Sequence, residues 1–333
     1  MESIFIKTVG SYNKCFDDTK ADDYKDIKSA SMLLGDTYAF QVVVSADTPL
    51  SSETPLFLKV YSDISDYVSV CEIRSVFTAM PAYPTTVDEN YLREKKPGMY
   101  PDLMVPVDNR PVLIKGGKLA SFWIEINTPT DARTGKYGIE LVLETLEGEE
   151  AAKSHFDIEI IPAVLPKQSL IVTQWFHCDC LATYYGIEPL SEKHWEIIEN
   201  FANTATKNGI NVMLMPVFTP PLDTEVGGER PTVQLVKVTK SGDKYEFDFS
   251  LVDRWLDMCE RCGIKYHEIA HLFTQWGAEH APKIMAYENG EYKRIFGWET
   301  DSLSDEYIGF VRSFITEFKA YRYSAVSFGH ERV

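Results

Sequence analysis

Residues 165–185 read LPKQSLIVTQWFHCDCLATYY, and this stretch is the clearest indicator of the architecture of the second half of the chain. Its apolar run, Leu170–Trp175, has the length and composition of a buried β-strand, and aromatic, His, Cys and Asp side chains follow it directly. Residues 208–222, NGINVMLMPVFTPPL, repeat the pattern, because a second apolar strand, Asn211–Met215, again ends in loop residues that could face a ligand. Two such strands with a helix between them predict a βαβ unit with parallel strands.

The helices of this region carry clear start and stop signals. The first is predicted over Glu192–Lys207, with Ser191 as its N-cap and Asn208-Gly209 at its end. The second is predicted over Leu251–Arg261, where Ser250 caps the start and Gly263 ends the helix.

A third unit follows the second helix. Lys265–Ala270 reads as its strand, and Ser302–Tyr321 as its helix, with Ser302 and Asp305 spaced like a capping box. Between the units lie two long excursions, Pro216–Phe249 and Leu272–Thr300. The first excursion contains a predicted β-hairpin that turns at Ser241-Gly242.

Three strand–helix units do not complete a (β/α)₈ barrel, which needs eight units and roughly 250 residues. Residues 163–333 are therefore predicted to form the first part of a TIM-type barrel. In such a barrel the chemistry lies at the carboxyl ends of the strands.

Residues 1–162 are predicted to form a β-sandwich, so that the chain as a whole is multidomain, β followed by α/β. The segment Pro162–Pro166 reads as the linker, since two prolines end the β pattern.

Within residues 1–162, a short helix is predicted near Asp22–Ala30. The stretch from Met80 to Pro111, including GMYPDLMVP at 98–106, reads as a long irregular loop, either a plain surface loop or a functional one. The predicted strands are Ala39–Val44, Leu56–Tyr61, Val70–Phe77, Leu119–Ile126, Tyr137–Glu144 and His155–Ile161.

The composition excludes some classes of partner. The chain has 333 residues, 44% of them hydrophobic, and a net charge of −17. This charge argues against nucleic acid and anionic membranes, because both need a basic surface. No signal peptide and no membrane span are apparent, so a cytoplasmic protein with six reduced cysteines is expected.

The motif His267-Glu268-x-x-His271 offers a zinc metallopeptidase as an alternative. On a helix, two His residues four positions apart share one Zn²⁺ and the Glu acts as base. Here the motif falls on the predicted third strand, where the two His residues would stand roughly 13 Å apart. The sequence therefore disfavours this alternative.

Two further groupings are weaker. Cys178-x-Cys180 and Cys259-x-x-Cys262 have zinc-ligand side chains, but the first pair follows a strand and the second ends a helix, at opposite ends of a barrel. Asp305-Glu306 could act as an acid pair, but acids in a first helical turn favour the helix dipole. No metal site, no cofactor and no catalytic residue are assigned on these grounds.

The grouping most relevant to ligand binding consists of aromatic and polar side chains that follow the predicted strands. Aromatic faces beside amide, His and carboxylate groups suit a sugar, which has apolar C–H faces and hydroxyl groups. Core packing accounts equally well for any single aromatic residue, and it is their recurrence after strand ends that favours a binding site. The predicted carbohydrate-binding residues are Trp175, His177, Asp179, Tyr184, Tyr185, Phe218, His271, Gln275, Trp276, Trp298 and Glu299.

Several of these stretches resemble the catalytic domain of glycoside hydrolase family 123, which comprises β-N-acetylgalactosaminidases and relatives. They are WFHCDCLATYYGIEPLSEKHWEIIENF (175–201), NGINVMLMPVFTPPLDTEVGGERPTVQL (208–235), HLFTQWGAEHAPKIMA (271–286) and YKRIFGWETD (292–301). The resemblance implies retaining, substrate-assisted hydrolysis of a terminal β-linked N-acetylhexosamine. The 2-acetamido oxygen attacks the anomeric carbon, one Asp orients the acetamido group and the adjacent Glu is the acid/base, an exception to the usual two-carboxylate scheme.

The sequence departs from the family at this acid pair. The family carries its Asp-Glu after the next strand, in a segment resembling FHISDEP, and residues 324–333 do not resemble that segment. We therefore expect a truncated family member that does not hydrolyse glycosides alone, with a non-catalytic carbohydrate-binding protein as the alternative. An incomplete barrel also exposes strand edges through which copies can associate.

Overall fold

The computed structural model describes residues 4–46, 55–80, 96–112 and 114–327. The chain separates into two compact units, Met1–Lys167 and Gln168–Val333. The first consists of strands and the second mixes strands with helices, so the prediction of a β region followed by an α/β region is confirmed. Cys15, Cys178, Cys180, Cys259 and Cys262 are free thiols.

The first unit contains two sheets. The five-stranded sheet has the order β1-β3-β7-β5-β6 and the four-stranded sheet the order β2-β9-β8-β4. The strands in chain order are β1 (Ile4–Gly10), β2 (Ser29–Leu34), β3 (Thr37–Ala46), β4 (Phe57–Tyr61), β5 (Val68–Thr78), β6 (Gly98–Pro106), β7 (Leu119–Asn127), β8 (Gly135–Glu144) and β9 (Glu150–Val164).

The two sheets pack face to face through one apolar core. In β3, Phe40, Val42 and Val44 point into it, and the Phe40 ring stacks on Phe156 of β9 at 4.2 Å between centroids. Alternate residues share one face of a strand, so this spacing accounts for the alternation seen in the sequence.

Three predictions for this unit were wrong. Residues 98–106 are not irregular but form β6, an edge strand paired with β5; the adjoining residues 81–95 of the predicted loop lie outside the described part of the chain. The predicted helix near Asp22–Ala30 is only a 3₁₀ turn, Ala21–Asp23, followed by β2. Strand β9 continues to Val164, through the first three residues of the predicted linker, and its carboxyl end pairs with Leu34 of β2.

A histidine on β9 couples the stability of this unit to pH. The ring nitrogens of His155 lie 2.6 Å from Glu140 Oε1 and 3.0 Å from Asp157 Oδ1. Hydrogen bonds first to Asp157 and then to Glu140 raise the pKa of His155 above its usual value. This contribution to stability is therefore fully present below the unfolded pKa of about 6.5 and is lost as the pH rises through the folded pKa.

We expect His155→Gln to lower the free energy of unfolding more at pH 5.5 than at pH 9. Urea titrations at both pH values measure the difference. Lys153→Gln on the same strand is the control, since Lys153 forms its ion pair with Glu150, at 3.2 Å. Equal losses at the two pH values for His155→Gln would contradict the linkage.

The second unit is built on a short parallel sheet. Its strands are β10 (Thr173–Gln174), β11 (Val212–Met215) and β14 (Tyr266–Ile269), in the order β10-β11-β14. Helices α1 (Asp179–Tyr185) and α2 (Glu192–Lys207) connect β10 to β11, and α3 (Ser250–Cys262) leads into β14. The predicted parallel strand–helix succession is thus confirmed, although the first strand is shorter than Leu170–Trp175; the barrel itself stays a prediction.

A second sheet and a last helix complete this unit. The sheet has the order β13-β12-β15-β16, with β12 (Lys237–Ser241), β13 (Lys244–Asp248), β15 (Ile284–Glu288) and β16 (Glu291–Phe296). The predicted hairpin is confirmed as β12–β13, and its turn residues are Gly242 and Asp243, one position beyond the predicted Ser241-Gly242. The hairpin β15–β16 lies inside the predicted excursion Leu272–Thr300 and was missed.

The helix boundaries agree closely with the sequence signals. Helix α2 has the predicted bounds, and Ser191 Oγ accepts the N–H of His194. At α3, the first N–H is accepted by Asp248 rather than by a Ser250 cap. Helix α4 (Asp305–Ser327) begins after Ser304, whose hydroxyl accepts the N–H of Tyr307, so the predicted cap at Ser302 was two residues early.

No helix within the described ranges has both the length and the apolar character needed to cross a membrane. Strands β10 and β14 are the edges of the parallel sheet as described, and Tyr266 and Ile269 on β14 are exposed. Self-association through such edges stays a prediction.

Candidate carbohydrate site

The carboxyl ends of β10, β11 and β14 lie at one edge of the parallel sheet, because all three strands run in the same direction. Trp175 and His271 follow two of these ends within two residues. The segments 175–179 and 271–276 therefore leave the sheet at the same edge, one on each side of β11, and most of the predicted site residues belong to them.

Trp175 and His271 meet in what we call the indole cluster: Thr173, Trp175, Glu268 and His271. The Trp175 Nε1–H donates to both oxygens of Glu268, at 3.1 and 3.2 Å, and the Thr173 hydroxyl donates to the same carboxylate at 3.2 Å. The rings of Trp175 and His271 meet edge to face at 5.2 Å between centroids. Trp175 stays 49% exposed, so much of the indole is open to a ligand.

Asp179 is held by an arginine that the sequence analysis did not single out. Arg230 Nε lies 2.9 Å from Asp179 Oδ2, and the two side chains are 10% and 4% exposed. The same guanidinium donates to the Leu222 carbonyl at 3.3 Å and to Cys180 Sγ at 2.9 Å. Asp179 Oδ1 is buried and has no hydrogen-bond partner. This ion pair fastens the start of α1 to the loop 222–230.

His177 lies beside the same loop. Its side chain is 9% exposed, and its Nε2 is 2.8 Å from Asp223 Oδ2, although neither ring nitrogen makes a hydrogen bond of good geometry. Burial, and secondly the charge of Arg230, lower the pKa of His177 despite the carboxylates of Asp223 and Asp179. The imidazole is therefore neutral at pH 7 and can both donate and accept a hydrogen bond.

Gln275 and Trp276 also bond to this loop. The Asp223 N–H donates to Gln275 Oε1 at 2.8 Å, and Gln275 Nε2 donates to the Thr224 carbonyl at 3.1 Å. Trp276 Nε1 donates to the same carbonyl at 3.2 Å, and the residue is 52% exposed. The loop 222–230 thus connects His177, Asp179, Gln275 and Trp276.

Trp298 bonds to the loop 222–230, and the neighbouring Glu299 lines a cavity. Trp298 Nε1 donates to the Gly228 carbonyl at 2.7 Å, and Arg294 pairs with Glu299 at 3.1 Å. The cavity, about 500 Å³, is lined in part by His280, Glu299 and Asp301. Its volume falls in the range of ligand pockets.

Three aromatic residues of the predicted set lie elsewhere. Phe218 is 1% exposed and packs against Phe310 and Phe314 in the core, so its inclusion in a sugar site was wrong. Tyr184 and Tyr185 form an exposed edge-to-face pair on α1, at 5.0 Å between centroids. Their role stays a prediction.

Asp223, Arg230 and Glu268 were not among the predicted site residues. Asp223 and Arg230 belong to the long excursion after β11, where no periodic pattern exists. Glu268 was assigned only to the zinc motif. A signal for Asp223 was nevertheless present, because an Asp after Pro220-Pro221 is typical of a tight turn, and the residue has a left-handed φ of 57°.

The zinc alternatives find no support in this geometry. His267 and Glu268 lie on β14, a strand and not a helix, so the motif lacks the spacing that a shared metal requires. Cys259 lies against Met213 Sδ and Cys262 against the Glu199 carbonyl. No group of three or more His, Cys, Asp or Glu residues in the described part of the chain is arranged to hold a metal ion.

Asp305 and Glu306 lie in the first turn of α4, as predicted. Lys240 Nζ donates to Glu306 Oε1 at 2.7 Å, so this carboxylate serves an ion pair between β12 and α4. The position of both acids in the first turn agrees with the helix-dipole interpretation.

Comparison with known proteins places these residues in context. Residues 175–331 match the sequence model of the family described as Glycoside hydrolase 123, catalytic domain. The chain superposes with a TM-score of 0.71 on a family 123 glycoside hydrolase from Clostridium perfringens described for glycolipid glycan hydrolysis, at 18% identity over 97% of this chain. It spans 57% of the length of that enzyme.

Other comparisons are less informative. A GspB Siglec domain aligns at 12% identity and a TM-score of 0.22, covering 55% of this chain and 70% of that one. The N-terminal domain of PorA aligns at 9% identity and a TM-score of 0.21, covering 48% of this chain and 99% of that one. Neither score supports an argument, and no curated protein matches the sequence. Residues 175–331 thus match the catalytic domain of glycoside hydrolase family 123, and the chain shares its fold with a solved enzyme of that family.

Proposed function

We propose that this chain carries sugar-binding groups of an exo-acting β-N-acetylhexosaminidase of the N-acetylgalactosaminidase type. In this proposal a terminal β-linked N-acetylhexosamine binds at the carboxyl ends of β10, β11 and β14. The observation that carries the proposal is the indole cluster. Its Trp175 is the first residue of the family match, and the cluster combines an exposed aromatic face with fixed hydrogen-bonding groups.

The chemistry of the site suits such a ligand. The exposed part of Trp175 offers a flat surface to the C–H face of a pyranose, and the half-exposed Trp276 offers a second aromatic face. A net charge of −17 disfavours anionic ligands and does not oppose a neutral N-acetylhexosamine.

We assign hydrolysis to groups other than the acid pair of α4. Substrate-assisted hydrolysis needs one carboxyl group at the 2-acetamido group and an adjacent one at the glycosidic oxygen. Glu306 is engaged by Lys240, and the pair lies in the first turn of a helix instead of following a parallel strand. We therefore propose that these 333 residues bind the sugar without cleaving it.

The experiment is a pair of measurements on the 333-residue chain. Incubation with p-nitrophenyl β-N-acetylgalactosaminide is expected to release no p-nitrophenol, whereas titration with N-acetylgalactosamine and its thiazoline is expected to raise the melting temperature. Trp175→Ala is expected to abolish the shift and Tyr61→Ala, an exposed tyrosine of the first unit, to leave it intact. Turnover by the chain would contradict the proposed lack of activity, and an equal shift in Trp175→Ala would contradict the site.

The alternative is a carbohydrate-binding protein with no hydrolytic role. It makes the same prediction for this chain. It also predicts that the longest protein encoded at the same genomic locus binds the N-acetylhexosamine and does not cleave the glycoside. Parallel titrations with N-acetylglucosamine decide between the two hexosamines.

A further inference from the structure

Glu268 connects the two outer strands of the parallel sheet. It lies on β14, while its partners Thr173 and Trp175 lie on and directly after β10, and the strand order places β11 between them. The carboxylate therefore reaches across β11 and accepts three hydrogen bonds from two donors, at 3.1 to 3.2 Å. Hydrogen bonds to an ionised carboxylate are among the stronger ones in proteins.

Trp175 depends on this contact for its orientation. β10 has only two residues in register with β11, Thr173 and Gln174, and Trp175 follows beyond the end of the ladder. The indole is thus fixed by side-chain contacts, with its N–H edge on Glu268 and its ring against His271. Without the carboxylate, a half-exposed indole regains rotamer freedom that a ligand must then remove on binding.

We infer that Glu268 is a positioning residue that holds the Trp175 indole in the orientation that stacks on a sugar. The inference rests on the proposed function for the identity of the ligand, but the contact between Glu268 and Trp175 can be tested without any ligand. It also assigns a role to the His-Glu-x-x-His motif: its glutamate orients an aromatic platform, and His271 is the second wall of the same cluster.

The test uses the full 333-residue chain and two readouts. The first is the ¹H–¹⁵N indole resonance of Trp175, identified among the six tryptophans by its absence in Trp175→Phe. The second is the dissociation constant for N-acetylgalactosamine. Glu268→Ala is expected to displace the Trp175 resonance and to weaken binding by about tenfold, the equivalent of one lost hydrogen-bonded anchor.

Glu268→Gln is the rescue variant. A glutamine retains a carbonyl oxygen that accepts from the indole N–H, so the resonance is expected to stay near its original position and the affinity within about threefold. Glu246→Ala, which removes an exposed carboxylate on β13, is the matched control and is expected to change neither readout.

An unmoved Trp175 resonance in Glu268→Ala overturns the inference, and so does a Glu268→Gln variant that behaves like Glu268→Ala. If the unmodified chain binds no N-acetylhexosamine, the indole resonance still decides the positioning role, and only the proposed function fails.

Discussion

Arg230→Ala is expected to destabilise the second unit by about 3–5 kcal/mol, because it leaves the buried Asp179 carboxylate without its cation. The loss is also expected to release the loop 222–230, since the same guanidinium holds the Leu222 carbonyl. Urea unfolding followed by circular dichroism measures the first effect, and titration with N-acetylgalactosamine measures the second.

Two controls separate burial of charge from loss of a salt bridge. Arg261→Ala removes an arginine that pairs with Glu199 at 3.0 Å on the surface, and we expect a loss of no more than about 1 kcal/mol. Asp179→Asn combined with Arg230→Met removes both buried charges and should recover much of the stability. If Arg230→Ala costs no more than Arg261→Ala, Asp179 is solvated and the ion pair does not hold the loop.

Phe310→Ala is expected to cost about 3–5 kcal/mol, through lost burial and the cavity that remains. The Phe310 ring is fully buried and lies 5.0 Å from Tyr245, 5.1 Å from Phe296 and 5.4 Å from Phe218. It therefore joins α4 to the β12–β13 and β15–β16 hairpins. Thermal and urea unfolding of the full chain measure the loss.

Ile315→Ala on the same helix is the matched control. Ile315 is 51% exposed, so its truncation removes little buried area and is expected to change stability by less than about 1 kcal/mol. Similar losses for the two variants would show that α4 is not anchored through Phe310.

The elements that the sequence predicts well carry both a periodic pattern and a local stop signal. Helix α2 has Ser191 before it and Asn208-Gly209 after it, and its bounds agree with the prediction. Helix α3 ends at Gly263, which adopts a left-handed φ of 82° that glycine tolerates without strain.

The missed strands have identifiable causes. β6 carries Pro101 and Pro106, which argue against a strand in general but are tolerated at a sheet edge, and β6 is an edge strand. The β15–β16 hairpin does carry a turn signal, Asn289-Gly290, with φ values of 54° and 82°. This turn signal was not used, because residues 272–300 were expected to be an irregular connection between the third strand and the last helix.

The candidate site could be predicted only as far as the strand ends. Trp175 and His271 follow strands, and strand ends converge in any parallel sheet. Asp223 and Arg230 reach the site through a loop whose path has no periodicity, so no pattern reveals them. Phe218 shows the opposite error: a position after a strand does not tell whether a ring faces a ligand or the core.

The loop 222–230 has a consequence for how this protein can diversify. It meets His177, Asp179, Gln275, Trp276 and Trp298 through its own carbonyl, N–H and charged groups, and it contributes no residue to the strands or helices. Lineages that exchange this one segment can therefore acquire new ligand preferences while inheriting the scaffold unaltered. Among homologous proteins, substitutions should accordingly concentrate between Leu222 and Glu229. Arg230 should be conserved, because its ion pair with Asp179 holds the loop in place.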